Sequence, residues 1–369
     1  MFRIMTVSNK RRVVLRSIGA AGLGLLAGCT GGGDDGGTDG TGSNDDSADT
    51  AAKNIAIVFA TGGLGDLGFN DLAHAGIQRA ESELGIQYDM AEPDDNTQFE
   101  QYQRRFAQST DPDYDLICCI GFAQAPTLSE IAPEFPEQNF MIIDSVVEAS
   151  NVASYTFKEH EGSYLLGVAA GNLTSREFTA GGGSTNPGSN RLGFVGGVES
   201  FLINKFLAGY QAGALSVDPD IEVRSSYVGS FSDPATAKES AKGMYANDVD
   251  LIFPAAGGSG VGVFQAAMED ERLAFGVDTP QSETQPQFAE VILGSMVKKT
   301  DSAVYRAIES EVDDALPMGE ASTLGVAEEG VAFVLGEAIG DAIPSDVLDA
   351  VDEAKESIIN GEINVPDEI

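Results

Sequence analysis

The sequence predicts an α/β protein of two lobes, each built on a parallel sheet, with a ligand cleft between them. Three observations carry that expectation. Short apolar runs alternate with amphipathic helical stretches from residue 54 to residue 144, which is the pattern of a parallel sheet covered by helices. A second series of the same kind starts near residue 160. The ends of these runs carry Gly, Phe, Asn or Asp, and in parallel sheets such ends share one edge where ligands bind.

The first unit sets the pattern. Ile55-Ala56-Ile57-Val58-Phe59 reads as a buried strand, and Gly62-Gly63-Leu64-Gly65-Asp66-Leu67-Gly68 as a glycine turn. From Leu72 to Leu84 apolar residues recur at spacings of three and four until Gly85 stops the helix. The turn contains Gly63-x-Gly65-x-x-Gly68, a dinucleotide fingerprint in outline. Asp66 argues against a pyrophosphate there, because phosphate needs bare amides at a helix start. An acid, the Asn70 amide and the Phe69 ring suit a neutral, planar, polar ligand. A tight turn with Asp66 or Asn70 capping the helix is the purely structural alternative.

Further along, strands are expected at 86–90, 114–120 and 139–144, with helices at 98–108 and from 126 to 131. The second series has a Gly- and Ala-rich helix at 161–173, a polar loop at 180–190, and strands at 191–196, 223–228, 249–254 and 273–277. Helices at 201–215, 235–247 and 261–271 separate those strands. One more strand–helix unit follows within 289–311, and a last strand near 330–335. Asp66, Asp144 and Asp278 each stand just after an apolar run. If the lobes face each other by those edges, the carboxylates and phenylalanines converge.

Composition limits the function classes. The chain of 369 residues carries 58 acids against 21 Lys and Arg, a formal net charge of −37. Such a surface repels nucleic acid and anionic lipid. Acids spread along the whole chain suit a high-salt setting, where screening removes self-repulsion. Of the three cysteines, Cys118 and Cys119 are adjacent in an apolar run and should point to opposite faces of a strand as small hydrophobes. His74 and His160 fit no metal-ligand spacing. No cofactor, metal site or catalytic group is expected.

Residues 1–29 read as an export signal. Arg11-Arg12 precedes an apolar stretch too short to span a bilayer well, which ends Leu26-Ala27-Gly28-Cys29. The arginine pair resembles a twin-arginine signal, and the ending resembles a lipoprotein cleavage site with the lipid on Cys29. Residues 30–53 are Gly, Asp, Ser and Thr with almost nothing apolar, an expected disordered tether with a reach of roughly 25–30 Å.

Taken in order, Asp66-Leu67-Gly68-Phe69-Asn70, Gly196-Gly197 with Phe206, Gly209-Tyr210 and Ala212-Gly213, Gly229-Ser230-Phe231-Ser232-Asp233, Ala256-Gly257-Gly258-Ser259-Gly260, Gly276-Val277-Asp278 and Ser295-Met296-Val297-Lys298-Lys299 resemble the basic membrane protein family. That family comprises purine-nucleoside-binding lipoproteins of ABC importers. The resemblance implies a type I periplasmic-binding-protein fold with Rossmann-like lobes, spanning 54–156 plus 281–321 and 157–280 plus 322–369. It implies hinge crossings near 155, 280 and 322. It places Phe69 and Phe231 on the two faces of a base, with Asp66, Asn70, Asp144 and Asp278 on base nitrogens and ribose hydroxyls. Gly257 would bring backbone close, and Lys298 would offset the carboxylates and reach the ribose. The partners implied are a nucleoside, an ABC permease and the membrane through Cys29, with the protein itself a monomer. A sugar receptor of the same fold, a dinucleotide-dependent oxidoreductase and a nucleoside hydrolase are the competing readings.

Overall fold

The computed structural model describes residues 52–369. The expected export signal, Cys29 and nearly all of the expected tether lie outside the described residues. In chain order the first series is β1 (Asn54–Val58), α1 (Phe69–Leu84), β2 (Gln87–Ala91), α2 (Phe99–Ala107), β3 (Leu116–Cys119), α3 (Ala125–Ile131), β4 (Asn139–Ile143) and β5 (Val152–Phe157). The second is α4 (Glu159–Thr174), the short β6 (Thr179–Ala180) and β7 (Gly183–Ser184), β8 (Arg191–Gly196), α5 (Phe201–Val217), β9 (Glu222–Tyr227), α6 (Pro234–Tyr245), β10 (Leu251–Ala255), α7 (Val261–Glu269), β11 (Leu273–Asp278), α8 (Gln281–Thr284) and β12 (Ile292–Lys298). The chain ends with α9 (Thr300–Val312), β13 (Ala321–Leu324), β14 (Val331–Leu335) and α10 (Ser345–Ile359).

Two six-stranded sheets form two lobes. The first has the order β13-β5-β4-β3-β1-β2 and is parallel throughout; the second has the order β14-β12-β11-β10-β8-β9, with only β14 antiparallel. Parallel sheets need both faces covered. In the first sheet Ile55 and Ile57 pack toward α1 and α9, and Ala56 and Val58 toward α2 and α3. Cys118 and Cys119 divide between the same two cores, both buried and unbridged, as alternation along a strand requires. The second sheet sends Phe194, Phe253 and Phe275 to the side of α4 and α5, and Val195, Ile252 and Ala274 to the side of α6 and α7.

The glycines of α4 and α5 let those helices touch backbone to backbone. A Cβ on Gly213 would lie 2.9 Å from the Tyr164 carbonyl carbon, and one on Gly167 would lie 2.8 Å from the Ala214 nitrogen.

The chain passes between lobes after Phe157, after Lys298 and between Leu324 and Val331. One expected boundary is corrected. Residues 281–298 do not join the first lobe, because β12 pairs with β11 in the second sheet. The crossing expected near 280 therefore lies after Lys298. β5, β13 and α10 were not anticipated.

Candidate functional site

The turn after β1 is held by its own carboxylates. Asp71 accepts the Gly65 and Leu67 amides at 2.8 and 2.9 Å. Asp66 accepts those of Gly68, Asn70 and Asp71 at 2.9, 2.9 and 3.2 Å. The Leu64 amide is taken by Glu92 at 3.0 Å. The amides that a pyrophosphate would need are thus occupied, and occupied by negative charge. Asn70 is nearly fully buried; its Oδ1 accepts the Ala60 amide at 2.9 Å and its Nδ2 donates to Asp66 at 3.1 Å. These bonds lock the start of α1 to the end of β1 and aim Phe69 inward. Burial raises the Asp66 pKa, opposed by the amide hydrogen bonds from Asn70, Gly68 and Asp71.

Across the cleft, the turn Gly257–Gly260 grips the loop that carries Phe231. The Ser259 amide donates to the Phe231 carbonyl at 3.0 Å. Its hydroxyl donates to the Ser230 carbonyl at 2.9 Å and accepts the Asp233 amide at 2.8 Å. Gly257 has φ +53°, and a Cβ there would sit 3.4 Å from Phe231, so the position suits glycine.

Asp144 follows β4 and Asp278 ends β11, with φ of +69° and +63°. Left-handed backbone is uncommon outside glycine and costs energy unless the surroundings hold it. Here it turns both carboxylates inward. Burial pushes Asp278 up to about 7, against the pull of Lys298. No described residue donates a hydrogen bond to its carboxylate. Burial also pushes Asp144 up to about 6, but Lys298 Nζ lies 2.7 Å away, so Asp144 is ionised at neutral pH. Lys298 itself is 1% exposed. Burial pulls its pKa down, and Asp144, Glu159 and Asp278 together push it above the ordinary lysine value. The ammonium lies 5.0 Å from the ring centres of both Phe69 and Phe157, which favours a cation.

Asp66, Phe69, Asn70, Asp144, Phe231, Gly257, Asp278 and Lys298 all line one cavity, which encloses about 740 Å³ with its mouth included. Phe122, Leu202, Ile203 and Phe206 line it too and were not anticipated as site residues. The signal of Phe122, Leu202 and Ile203 in the sequence is weak, because an apolar residue at the start of a helical turn reads equally as core; Phe206, inside α5, belongs to the motif that carries the family resemblance but was not assigned to the site. Thr279 Oγ1 donates to the Leu67 carbonyl at 3.0 Å, joining the lobes. The loop at 180–190 is remote in register: its Asn186 amide bonds Asp250, just before β10 begins, at 2.8 Å, whereas the cavity is lined by residues at the end of that strand.

A family model described as ABC transporter substrate-binding protein, PnrA-like, matches residues 53–368. The chain belongs to this PnrA-like family. The chain is similar to the ABC transporter nucleoside-binding protein BmpA of Lactococcus lactis, 32% identical over 97% of this chain and 99% of that protein. Basic membrane protein D of Borreliella burgdorferi is 30% identical over 88% of this chain and 91% of its own length. An ABC solute-binding protein from Aeropyrum pernix K1 has the same architecture, with a TM-score of 0.74 and 28% identity over 85% of this chain and 94% of that one. The PnrA-like assignment makes this chain the substrate-binding component of an ABC transporter. At lower identity, an ABC transporter solute-binding protein from Conexibacter woesei (TM-score 0.66, 22% identity) shares the type I fold.

Proposed function

We propose that the protein captures a nucleoside, with a purine as the preferred base, and delivers it to an ABC importer. It works from the outer face of the membrane, exported by the Arg11-Arg12 signal and held by a lipid on Cys29. One observation carries the ligand reading. Phe69 from one lobe and Phe231 from the other line a single cavity together with Asp278, a buried carboxylate with no hydrogen-bond donor among the described residues. Two aromatics suit a flat base, each contact contributing about 1–3 kcal/mol. A free carboxylate suits ring N–H groups or ribose hydroxyls. The name of the Lactococcus lactis relative supports the same class of ligand.

Asp66 and Asn70 already spend most of their hydrogen-bonding capacity on the turn, so in this reading they shape the pocket as much as they touch the ligand. Ligand bridging the lobes stabilises the closed form that a permease recognises. The protein acts by binding, with no catalytic step. The acidic surface suits work in high salt.

Isothermal titration in molar salt with inosine, guanosine, adenosine, cytidine and ribose tests the reading. Tight binding of the purine nucleosides with ribose silent is the expected result. Binding of ribose alone would assign the cavity to sugars instead.

A further inference from the structure

A chain of four charges runs back from the cavity wall: Asp144, Lys298 and Glu159 are buried and Lys205 is partly buried. Lys298 Nζ is 2.7 Å from Asp144 and 3.2 Å from Glu159 Oε1. Glu159 Oε2 is 2.7 Å from Lys205 Nζ, which also donates to the Phe157 carbonyl at 2.6 Å. Glu159 is fully buried, and neither it nor Lys205 lines the cavity. The signs alternate along the chain, so it is neutral as a whole.

We propose that Glu159 and Lys205 are positioning residues for the cleft, holding the Lys298 ammonium in place independently of Asp144. The proposal rests on the nucleoside reading for its binding test only.

The placement of the four residues gives the reason. Asp144 follows β4 of the first lobe. Lys298 ends β12, Glu159 opens α4 and Lys205 lies on α5, all in the second. When the lobes part, Asp144 moves away from Lys298. A buried ammonium left alone is strongly unfavourable. Glu159 travels with Lys298 and remains its counter-charge, so the ammonium keeps its place through opening. Lys205 matters because it occupies the second oxygen of Glu159 and ties it to the Phe157 carbonyl, at the first crossing between lobes. Glu159 stands in the first turn of α4, where free amides further favour a carboxylate. Both carboxylate oxygens of Asp144 lie 2.7 Å from that ammonium, and Asp144 lines the cavity.

The full chain and three variants, Glu159→Gln, Lys205→Met and the double substitution, are to be compared by two readouts. The first is the dissociation constant for inosine and guanosine. Each single variant is expected to weaken binding about tenfold. The double variant restores charge balance, so its melting temperature should recover toward the parent while its affinity stays weak; Lys205→Arg should retain parental affinity. Full recovery of affinity in the double variant would mean that charge balance alone matters, and would overturn the proposal. The second readout needs no ligand. The side-chain ammonium resonance of Lys298, assigned by its loss in Lys298→Met, should shift or broaden in Glu159→Gln and in the double variant. An unchanged resonance would overturn the proposal even if the parent bound no nucleoside, whereas failure of the parent to bind would by itself reject only the ligand reading.

Discussion

Lys298, the last residue of β12, and Asp144, the residue after β4, form an ion pair at 2.7 Å that joins the two lobes at the cavity wall. Both side chains are almost wholly buried. Removing one member of such a pair leaves the other charge without compensation, which typically costs about 3–5 kcal/mol. Lys298→Met is therefore expected to lower the melting temperature of the ligand-free protein and to abolish measurable nucleoside binding. Denaturant unfolding and calorimetric titration on the same preparation check both parts.

Phe231 is half-buried, and its backbone is held by Ser259 whatever its side chain. Phe231→Ala should leave the unfolding midpoint nearly unchanged. Nucleoside affinity should fall by about 1–3 kcal/mol. An unaltered dissociation constant would remove Phe231 from the binding surface.

Asp278 supplies a pH dependence. Burial moves its pKa from the usual 3.8 to about 7 in the folded protein. Between those values the folded state holds more protons than the unfolded state, so stability falls as pH rises from about 4 to about 7. Asp144 and Asp66 are also raised and act in the same direction. Asp278→Asn should flatten this slope for the ligand-free protein and make it more stable than the parent at pH values above about 7. Melting temperatures read across pH 4 to 8 would show it; parallel curves for parent and variant would contradict the assignment.

The contact between α4 and α5 predicts a stability effect far from the cavity. A methyl on Gly213 would press on the Tyr164 carbonyl group and lie 3.0 Å from the Val168 amide nitrogen. Neither is a flexible side-chain end. Gly213→Ala should cost about 1–3 kcal/mol through overpacking, measured by urea unfolding, with binding of the remaining folded protein intact.

Much of this was legible in the sequence, for identifiable reasons. β1, its glycine turn and α1 stand out because a wholly apolar run, φ-positive glycines and helical spacing follow one another without interruption. The eight anticipated residues meet at one cavity because parallel strands put all their carboxyl ends on one edge. β5 was missed because Ser154, Tyr155 and Thr156 break its apolar run. β13, Ala-Ser-Thr-Leu, is a four-residue edge strand with little burial. α10 did carry a signal, since Val347, Val351, Ala354 and Ile358 are its buried positions at helical spacing. The lobe joined by β12 was misread because strand partners depend on topology rather than on local pattern. Glu159 and Lys205 were invisible for a different reason: a charged residue opening a helix, or lying on one, ordinarily faces water.

The edge strand β13 also sets the order in which the molecule can be completed. It pairs with β5 of the first sheet, yet it is made only after the second sheet has received all its parallel strands. α9, which packs on α1, is equally late. A nascent chain that has emerged as far as Lys298 possesses five of the six strands of each sheet, with β5 exposed as an open edge and one face of α1 bare. Neither lobe can therefore mature alone, and the amino-terminal half waits for the carboxyl-terminal end of the chain. Such distant pairings slow folding, and they make synthesis of almost the whole polypeptide a precondition for a finished cleft.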